Sequence, residues 1–401
     1  MISNLMTKIK PSPTIAMSNK AKELKQNGVN VYDFTVGEPD FQTPKHIIEA
    51  AYEGMLKGHT KYTLINGTLD LREAICEKLA SENELTYSPN DIVVSTGAKQ
   101  AIFNTMAATL NKDDEVIIQS PAWVSYFDIV KIFDGVPVSI KTTMADGFIL
   151  KPEKLEEKIT NKTKWIMLNS PSNPTGIVYT KEQLNDLATV LRKYPHVNIM
   201  CDDIYEHMIF DDQKFYTMAN VAPDLIDRIA IINGVSKSYS MTGFRLGYLA
   251  SKNSNLITAV TTIQSQSTSS TSSIAQYAAA VALRSDDSKK FILEMKQEMQ
   301  KRRDLVDLEI NKISGLKAIK GSGAFYTFVN IEALVGKKLP NGKIIENGVA
   351  FCENLLAESF VATVPGDAFD LENHFRFSFS TDIETIKMGI ERITIFVESL
   401  F

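Results

Sequence analysis

Lys237 follows Ser236 and precedes Arg245 in the stretch Ser236-Lys237-Ser238-Tyr239-Ser240-Met241-Thr242-Gly243-Phe244-Arg245. It comes just after an apolar run, Ile229-Ala230-Ile231-Ile232, that reads as a buried parallel strand. A lysine there gains little as a solubilising charge. Desolvation can instead lower its pKa until the amine is free to form a Schiff base with an aldehyde. Arg245, a short turn later, offers a fixed guanidinium fork for a phosphate. An amine and a phosphate clamp together suit a phosphorylated aldehyde.

In open α/β sheets ligands bind beyond the carboxyl ends of the strands, so the residues just after each apolar run are informative. Ile92-Val93-Val94 leads into Ser95-Thr96-Gly97-Ala98-Lys99-Gln100, a turn opening a helix. Its free N–H groups and helix dipole make a phosphate seat, although many strand-to-helix turns contain glycine. Val116-Ile117-Ile118 leads into Ser120-Pro121-Ala122-Trp123, where Trp123 either stacks on a flat ring or is simply core. Trp165 to Leu168 leads into Asn169-Ser170-Pro171-Ser172-Asn173-Pro174-Thr175-Gly176, a rigid loop or bare turn whose Asn173 can donate to a ring hydroxyl. Val197 to Cys201 leads into Asp202-Asp203-Ile204-Tyr205. Asp202 there is either a helix N-cap or a carboxylate that keeps a pyridine nitrogen protonated. Phosphate donors, a stacking ring, an amide, a carboxylate and an amine are the parts needed to hold pyridoxal 5′-phosphate.

The elements that must position these groups alternate short apolar runs with amphipathic patterns, the signature of a doubly wound α/β layer. Leu71, Ile75 and Leu79 predict a helix over 69–82, and Ala98 to Leu110 predicts another. Residues 285–313 read as one long charged helix. Beyond Gly315 the alternations Phe325-Tyr326-Thr327-Phe328-Val329 and Phe375-Arg376-Phe377-Ser378-Phe379-Ser380 predict an antiparallel sheet. The expected fold class is α/β: a large, mostly parallel-sheet cofactor-binding domain over 46–290, with a smaller α+β domain. Residues 1–45 and 313–401 form that small domain and an N-terminal arm, joined to the rest by the long helix.

Length and composition agree with a two-domain globular protein: 401 residues, 44% hydrophobic and 23% charged. A net charge of -5 without basic runs argues against nucleic acid as a partner. Three scattered cysteines, Cys76, Cys201 and Cys352, suggest reduced thiols in a cytoplasmic protein, with no disulfide framework and no metal site. No signal peptide is evident at the N-terminus. Residues 253–283 carry no charge, yet they are too rich in Ser, Thr and Gln for a membrane span.

With these motifs the chain resembles the fold-type-I aminotransferases, within them the bacterial aspartate and aspartate/prephenate subgroup. Val36-Gly37-Glu38-Pro39-Asp40-Phe41, Lys61-Tyr62-Thr63, Asn173-Pro174-Thr175-Gly176 and Ser236-Lys237 through Arg245 carry the resemblance, which runs from Lys10-Pro11-Ser12 to Phe375-Arg376-Phe377-Ser378. It implies that Lys237 is the Schiff-base lysine and general acid/base, and that Asp202 pairs the pyridine nitrogen. Asn173 and Tyr205 would contact the ring oxygen, and Trp123 would stack on the ring. Gly97, Ala98, Lys99, Ser236 and Arg245 would hold the phosphate, Ala98 standing where a second glycine is common. Tyr62 would reach the phosphate of a neighbouring subunit, so a homodimer with shared sites is implied; a Ser or Thr of 265–273 is a further candidate. Arg376, otherwise a solvated strand residue, would grip the substrate α-carboxylate, with Gly37 supplying backbone. Lys99 would meet a side-chain carboxylate, since 265–273 contains no Arg or Lys. Lys10 and Thr14 match positions associated with prephenate use, although Lys10 also reads as a solvated terminal charge. Ser120-Pro121 and Asn173-Pro174 are candidate cis peptide bonds. The implied reaction moves the amine of L-aspartate to 2-oxoglutarate, and a candidate second reaction takes prephenate to arogenate. The alternatives are a β-lyase or an aminotransferase of other specificity on the same fold, and a non-catalytic regulator built on it. A nicotinamide dehydrogenase is disfavoured because no Gly-x-Gly-x-x-Gly opens a helix after a strand.

Overall fold

The apolar runs become strands that are covered on both faces. In the computed structural model, residues 1–9 and 13–401 are described, with only the backbone described for residues 4 and 13–15. Lys10 therefore lies outside the described residues, as does the Thr14 side chain. Seven strands form the main sheet: β2 (Ile92–Ser95), β3 (Glu115–Ser120), β4 (Val136–Lys141), β5 (Thr163–Asn169), β6 (Asn198–Asp202), β7 (Ile229–Gly234) and β8 (Gly247–Ala250). Their order is β2-β8-β7-β6-β5-β3-β4, parallel except for β8, which runs antiparallel to both neighbours. Along β5, Ile166 and Leu168 enter one core cluster, while Trp165 and Met167 enter the cluster on the opposite face. Ile199 and Cys201 against Met200 repeat this division on β6. A sheet packed on both sides needs apolar residues at successive positions, which is why these runs do not alternate.

The second half of the chain builds a four-stranded antiparallel sheet, ordered β12-β13-β10-β9. Its strands are β9 (Lys317–Ala318), β10 (Tyr326–Asn330), β12 (Val364–Pro365) and β13 (His374–Ser378). A two-stranded parallel pair joins β1 (Tyr32–Asp33) to β11 (Val361–Ala362), so the N-terminal segment docks beside this sheet. Phe375, Phe377 and Phe379 enter one core with Met295, Met299 and Val306 of the helix Asp286–Ile310. Arg376 therefore points to the other face. That helix stops short of the expected 313: Asn311 caps it, and Gly315 (φ +92°) turns the chain back.

Two stretches had no element assigned from the sequence. The uncharged segment folds as two helices, Ser254–Ser267 and Ser273–Arg284, capped by Asn253 and Ser272. Among the described residues no helix is long and apolar enough to cross a membrane. Second, β8 is a four-residue strand with no legible period. Being antiparallel, it starts at the edge where its parallel neighbours end. Arg245, just before it, is thereby delivered to the same edge as Gly97 and Lys237.

Close approach is needed where β8 passes under the helix Ala98–Thr109. A Cβ on Gly247 would lie 2.3 Å from the Ala98 nitrogen and 2.6 Å from the Gly97 carbonyl carbon. Gly247→Ala should therefore lower stability by about 1–3 kcal/mol in urea unfolding. Gly243→Ala, where nothing lies within 4 Å, should stay within about 0.5 kcal/mol of the parent.

Candidate active site

A cavity of about 290 Å³ opens at the carboxyl ends of β2, β5, β6 and β7. Lys237, Asp202, Tyr205, Asn173, Trp123 and Arg376 are among the residues that line it. The Lys237 amine donates to the Gly37 carbonyl oxygen at 2.7 Å. Burial lowers its pKa from 10.5; Glu38 opposes this, while Arg245 and Arg376 add to it, leaving the amine at about 8. That is the behaviour of a lysine kept available as a base and nucleophile near neutral pH.

Asp202 ends β6 and is buried. Burial raises its carboxyl to about 6, against the Tyr126 hydrogen bond, the nearby Ile204 N–H and the Lys237 charge. Tyr126 O–H donates to Oδ2 at 2.5 Å, while Oδ1 is buried without a hydrogen-bond partner among the described residues. One oxygen is thus fixed and the other left for a donor that none of the described residues supplies. Asn169, ending β5, donates to the Asp202 carbonyl oxygen at 2.8 Å and accepts from the Asn173 N–H at 2.9 Å, so adjacent strand ends are tied together.

Arg376 is 3% exposed. Its Nη1 donates to Asn173 Oδ1 at 3.0 Å and its Nη2 to the Thr35 carbonyl oxygen at 2.7 Å. Nε is buried and unpartnered among the described residues. Tyr326 and Phe369 flank the guanidinium, 4.4 Å and 5.0 Å from their ring centres. Burial lowers its pKa, yet an arginine stays charged, so the cavity holds a fixed cation with donor capacity in reserve. Tyr205 lies nearby, its hydroxyl 3.0 Å from that of Tyr326.

Arg245 also lines the cavity, and Gly97 lies against it. Gly97 has φ +89°, and a Cβ there would meet Arg245 Nη2 at 2.6 Å, so the guanidinium lies directly on the turn. Arg245 itself is left-handed (φ 52°), a conformation costing about 1–2 kcal/mol, and its Nη1 donates to the Thr242 carbonyl oxygen at 2.8 Å. Ser236, Ala98 and Lys99 complete this side of the cavity. The Lys99 amine lies 4.6 Å from the Trp123 ring centre, and desolvation, followed by the Arg245 charge, lowers its pKa. Ser120-Pro121 and Asn173-Pro174 are cis, as expected, and so is Ser170-Pro171, which had no signal of its own.

The structure thus gathers Gly37, Ala98, Lys99, Trp123, Asn173, Asp202, Tyr205, Ser236, Lys237, Arg245 and Arg376 around one cavity, with Gly97 against Arg245. Tyr62 is not among them: it is 93% exposed and borders a separate cleft with Lys61 and Ser270 to Ile274. Sequence reasoning missed Thr35, Tyr126, Asn169 and Tyr326. Only Asn169 carried a signal, as a polar residue closing an apolar run. An unpaired carboxylate oxygen, a spare guanidinium N–H and a glycine turn under an arginine fit a cationic ring nitrogen, a carboxylate and a phosphate.

Comparison with known proteins agrees with this geometry. Residues 29–393 match the family described as aminotransferase class I and II. A probable aspartate/prephenate aminotransferase of Rickettsia felis is 48% identical, over 98% of this chain and 95% of its own. An aspartate/prephenate aminotransferase of Cereibacter sphaeroides is 46% identical, over 100% and 99%. The crystal structure of the aspartate aminotransferase from Rhizobium meliloti superposes with a TM-score of 0.97 at 43% identity, covering 100% of both chains. The chain belongs to the class I and II aminotransferases, with the fold-type-I architecture, and pyridoxal 5′-phosphate is the cofactor of the family.

The depressed Lys237 pKa has a direct reading. Acylation of amines requires the neutral form, so labelling of Lys237 in cofactor-free protein should rise with pH to half its maximum near 8. Peptide mass analysis across a pH series checks this; a midpoint at 10 or above would refute the assignment.

Proposed function

We propose that the chain transfers the amino group of L-aspartate to 2-oxoglutarate, giving oxaloacetate and L-glutamate. One observation carries this reading: a single cavity holds the low-pKa Lys237, the half-satisfied Asp202 and two cations, Arg376 and Lys99. The names of the relatives support the same substrate. When bound, pyridoxal 5′-phosphate supplies an aldehyde that condenses with amines and a ring that accepts electrons from the substrate Cα.

The residues of the chain do the rest. Asp202, held by Tyr126, keeps a proton on the ring nitrogen. Gly97, Ala98, Lys99, Ser236 and Arg245 would hold the phosphate, and Trp123 would stack on the ring. Asn173 and Tyr205 would hold the ring oxygen. Arg376 orients the substrate α-carboxylate beside Gly37, and Lys99 meets the side-chain carboxylate. Lys237 takes the Cα proton as general base and, as general acid, delivers it to the aldehyde-derived carbon (C4′) of the cofactor. A flexible point charge at Lys99 also accommodates a bulkier dicarboxylate, which supports prephenate as a second amino acceptor. Lys10 and Thr14 belong to that part of the reading.

Residues 46–290 are then the cofactor domain, and 1–45 with 313–401 the small domain and arm, supported by their separate sheets. A homodimer is supported by Ile48, Tyr52, Met55 and Leu56, exposed together on the helix Lys45–Leu56, and by Tyr62 beyond it. Three free thiols support a cytoplasmic location.

Lys237→Ala should abolish oxaloacetate formation and the visible absorption of the loaded protein. Retained transamination would sink the assignment, and release of pyruvate and ammonia without a keto-acid acceptor would indicate a lyase. Lys99→Met should reduce kcat/KM for aspartate about tenfold or more, equivalent to ~1.4 kcal/mol, and leave alanine nearly unaffected. Prephenate with glutamate, assayed in the same panel, tests the second acceptor.

A further inference from the structure

Next to the cavity, but outside its lining, lies a buried ionic cluster that the chemistry above does not use. Lys78 and Glu206 form an ion pair whose side chains are 2% and 5% exposed. Glu206 also accepts from Asn83 Nδ2 at 2.8 Å and from Asn233 Nδ2 at 2.5 Å. Lys78 donates to Asn83 Oδ1 at 2.7 Å and lies 3.5 Å from Glu82. Glu82 in turn contacts His207 Nε2 at 2.9 Å, and His207 Nδ1 is 2.7 Å from Ser238 Oγ. Burial pushes the Glu206 carboxyl up, but Lys78, His207 and its hydrogen bonds outweigh that and hold it at about 2.

Glu82, Glu206 and His207 bring their ligand atoms within 4.8 Å of one another, a spacing that suits a metal ion. The Lys78 ammonium is bonded to Glu206 and paired with Glu82, so it takes the place a cation would occupy. Such a pair gives little net stability, since an apolar pair of the same size is often as good or better. Its connections are more informative. Glu206 follows Tyr205 in the loop after Asp202, and Asn233 is the penultimate residue of β7, the strand leading to Lys237. Ser238 is the residue after Lys237. Glu206 and Asn233 tie the ends of β6 and β7 together, and the His207–Ser238 contact joins the loops beyond them.

We infer that the Lys78–Glu206 pair and its His207–Ser238 arm are positioning residues for Lys237, holding its amine in register with Asp202. This rests on the reading of Lys237 as the reacting amine. In the loaded enzyme, His207→Phe should lower kcat about tenfold with KM for aspartate changed less than about threefold. The pH midpoint of the visible absorption should move, while the urea unfolding midpoint stays in place. His207→Asn, whose amide can replace Nδ1 toward Ser238, should recover most of the rate. Ser238→Ala removes the same contact with a smaller change and should repeat the result if His207→Phe does not fold. A folded variant with parental kcat and absorption midpoint would overturn the inference. So would a rate loss that tracks a lowered urea midpoint with the absorption midpoint unmoved. Absence of transamination in the parent would instead count against the proposed function, and the absorption midpoint would still test the positioning.

Discussion

A lysine amine works as a base near neutral pH only where its surroundings penalise the charged form more than water does. The rest of the site is shaped by that constraint. Burial, helped by Arg245 and Arg376, brings Lys237 to about 8. The same burial acts in the opposite sense on Asp202 and would leave it a neutral acid, unable to hold a ring cation. Tyr126 counters this with a short hydrogen bond to one oxygen, and Asp202 comes to about 6. Burial in a single cavity thus lowers one group and raises the other, and each needs a specific neighbour to stop at a useful value.

Those neighbours come from distant parts of the sequence because the sheet collects strand ends. Parallel strands bring Asn169, Asp202 and Lys237 to one edge, and the antiparallel β8 brings Arg245 there from the opposite direction. The N-terminal segment closes the arrangement: Thr35 and Gly37 present carbonyl oxygens to Arg376 and Lys237. Close contact has conformational consequences, met by glycine at Gly97 and Gly247 and by a left-handed Arg245.

Strands β2, β3, β5, β6 and β7 were legible as apolar runs, and the residues after them as chemistry, because two-sided burial and strand-end binding both leave local traces. The face on which Arg376 lies was legible from the phenylalanines that alternate with it, whereas its role came only with the family resemblance. β8 was not, since four residues between longer strands carry no period and their direction is set by tertiary pairing. Tyr126 was not legible either: on a helix it reads as core, and only the fold puts its hydroxyl on Asp202. The Lys78–Glu206 pair leaves no signal in the sequence, since a lone Lys or Glu is most often solvated. The helix Leu69–Asn83 had its apolar positions read correctly, yet its polar Lys78 turned inward to a partner 128 positions away. Tyr62, proposed to serve a neighbouring subunit, is exposed on its own chain.

The two cations of the cavity differ in a way that bears on which carboxylate each can serve. Arg376 is packed between two rings, and two of its nitrogens are held by Asn173 and Thr35, so its plane is set before any ligand arrives. A planar fork fixed in this way suits the α-carboxylate, whose position must stay constant relative to the Cα proton. Lys99 has only the Trp123 face beside it among these contacts, and its ammonium can swing on a four-carbon stem. A group of that kind suits the carboxylate that varies in reach from one substrate to another. Rigidity is therefore concentrated where the reaction geometry is common to every turnover, and freedom is left where the substrates differ.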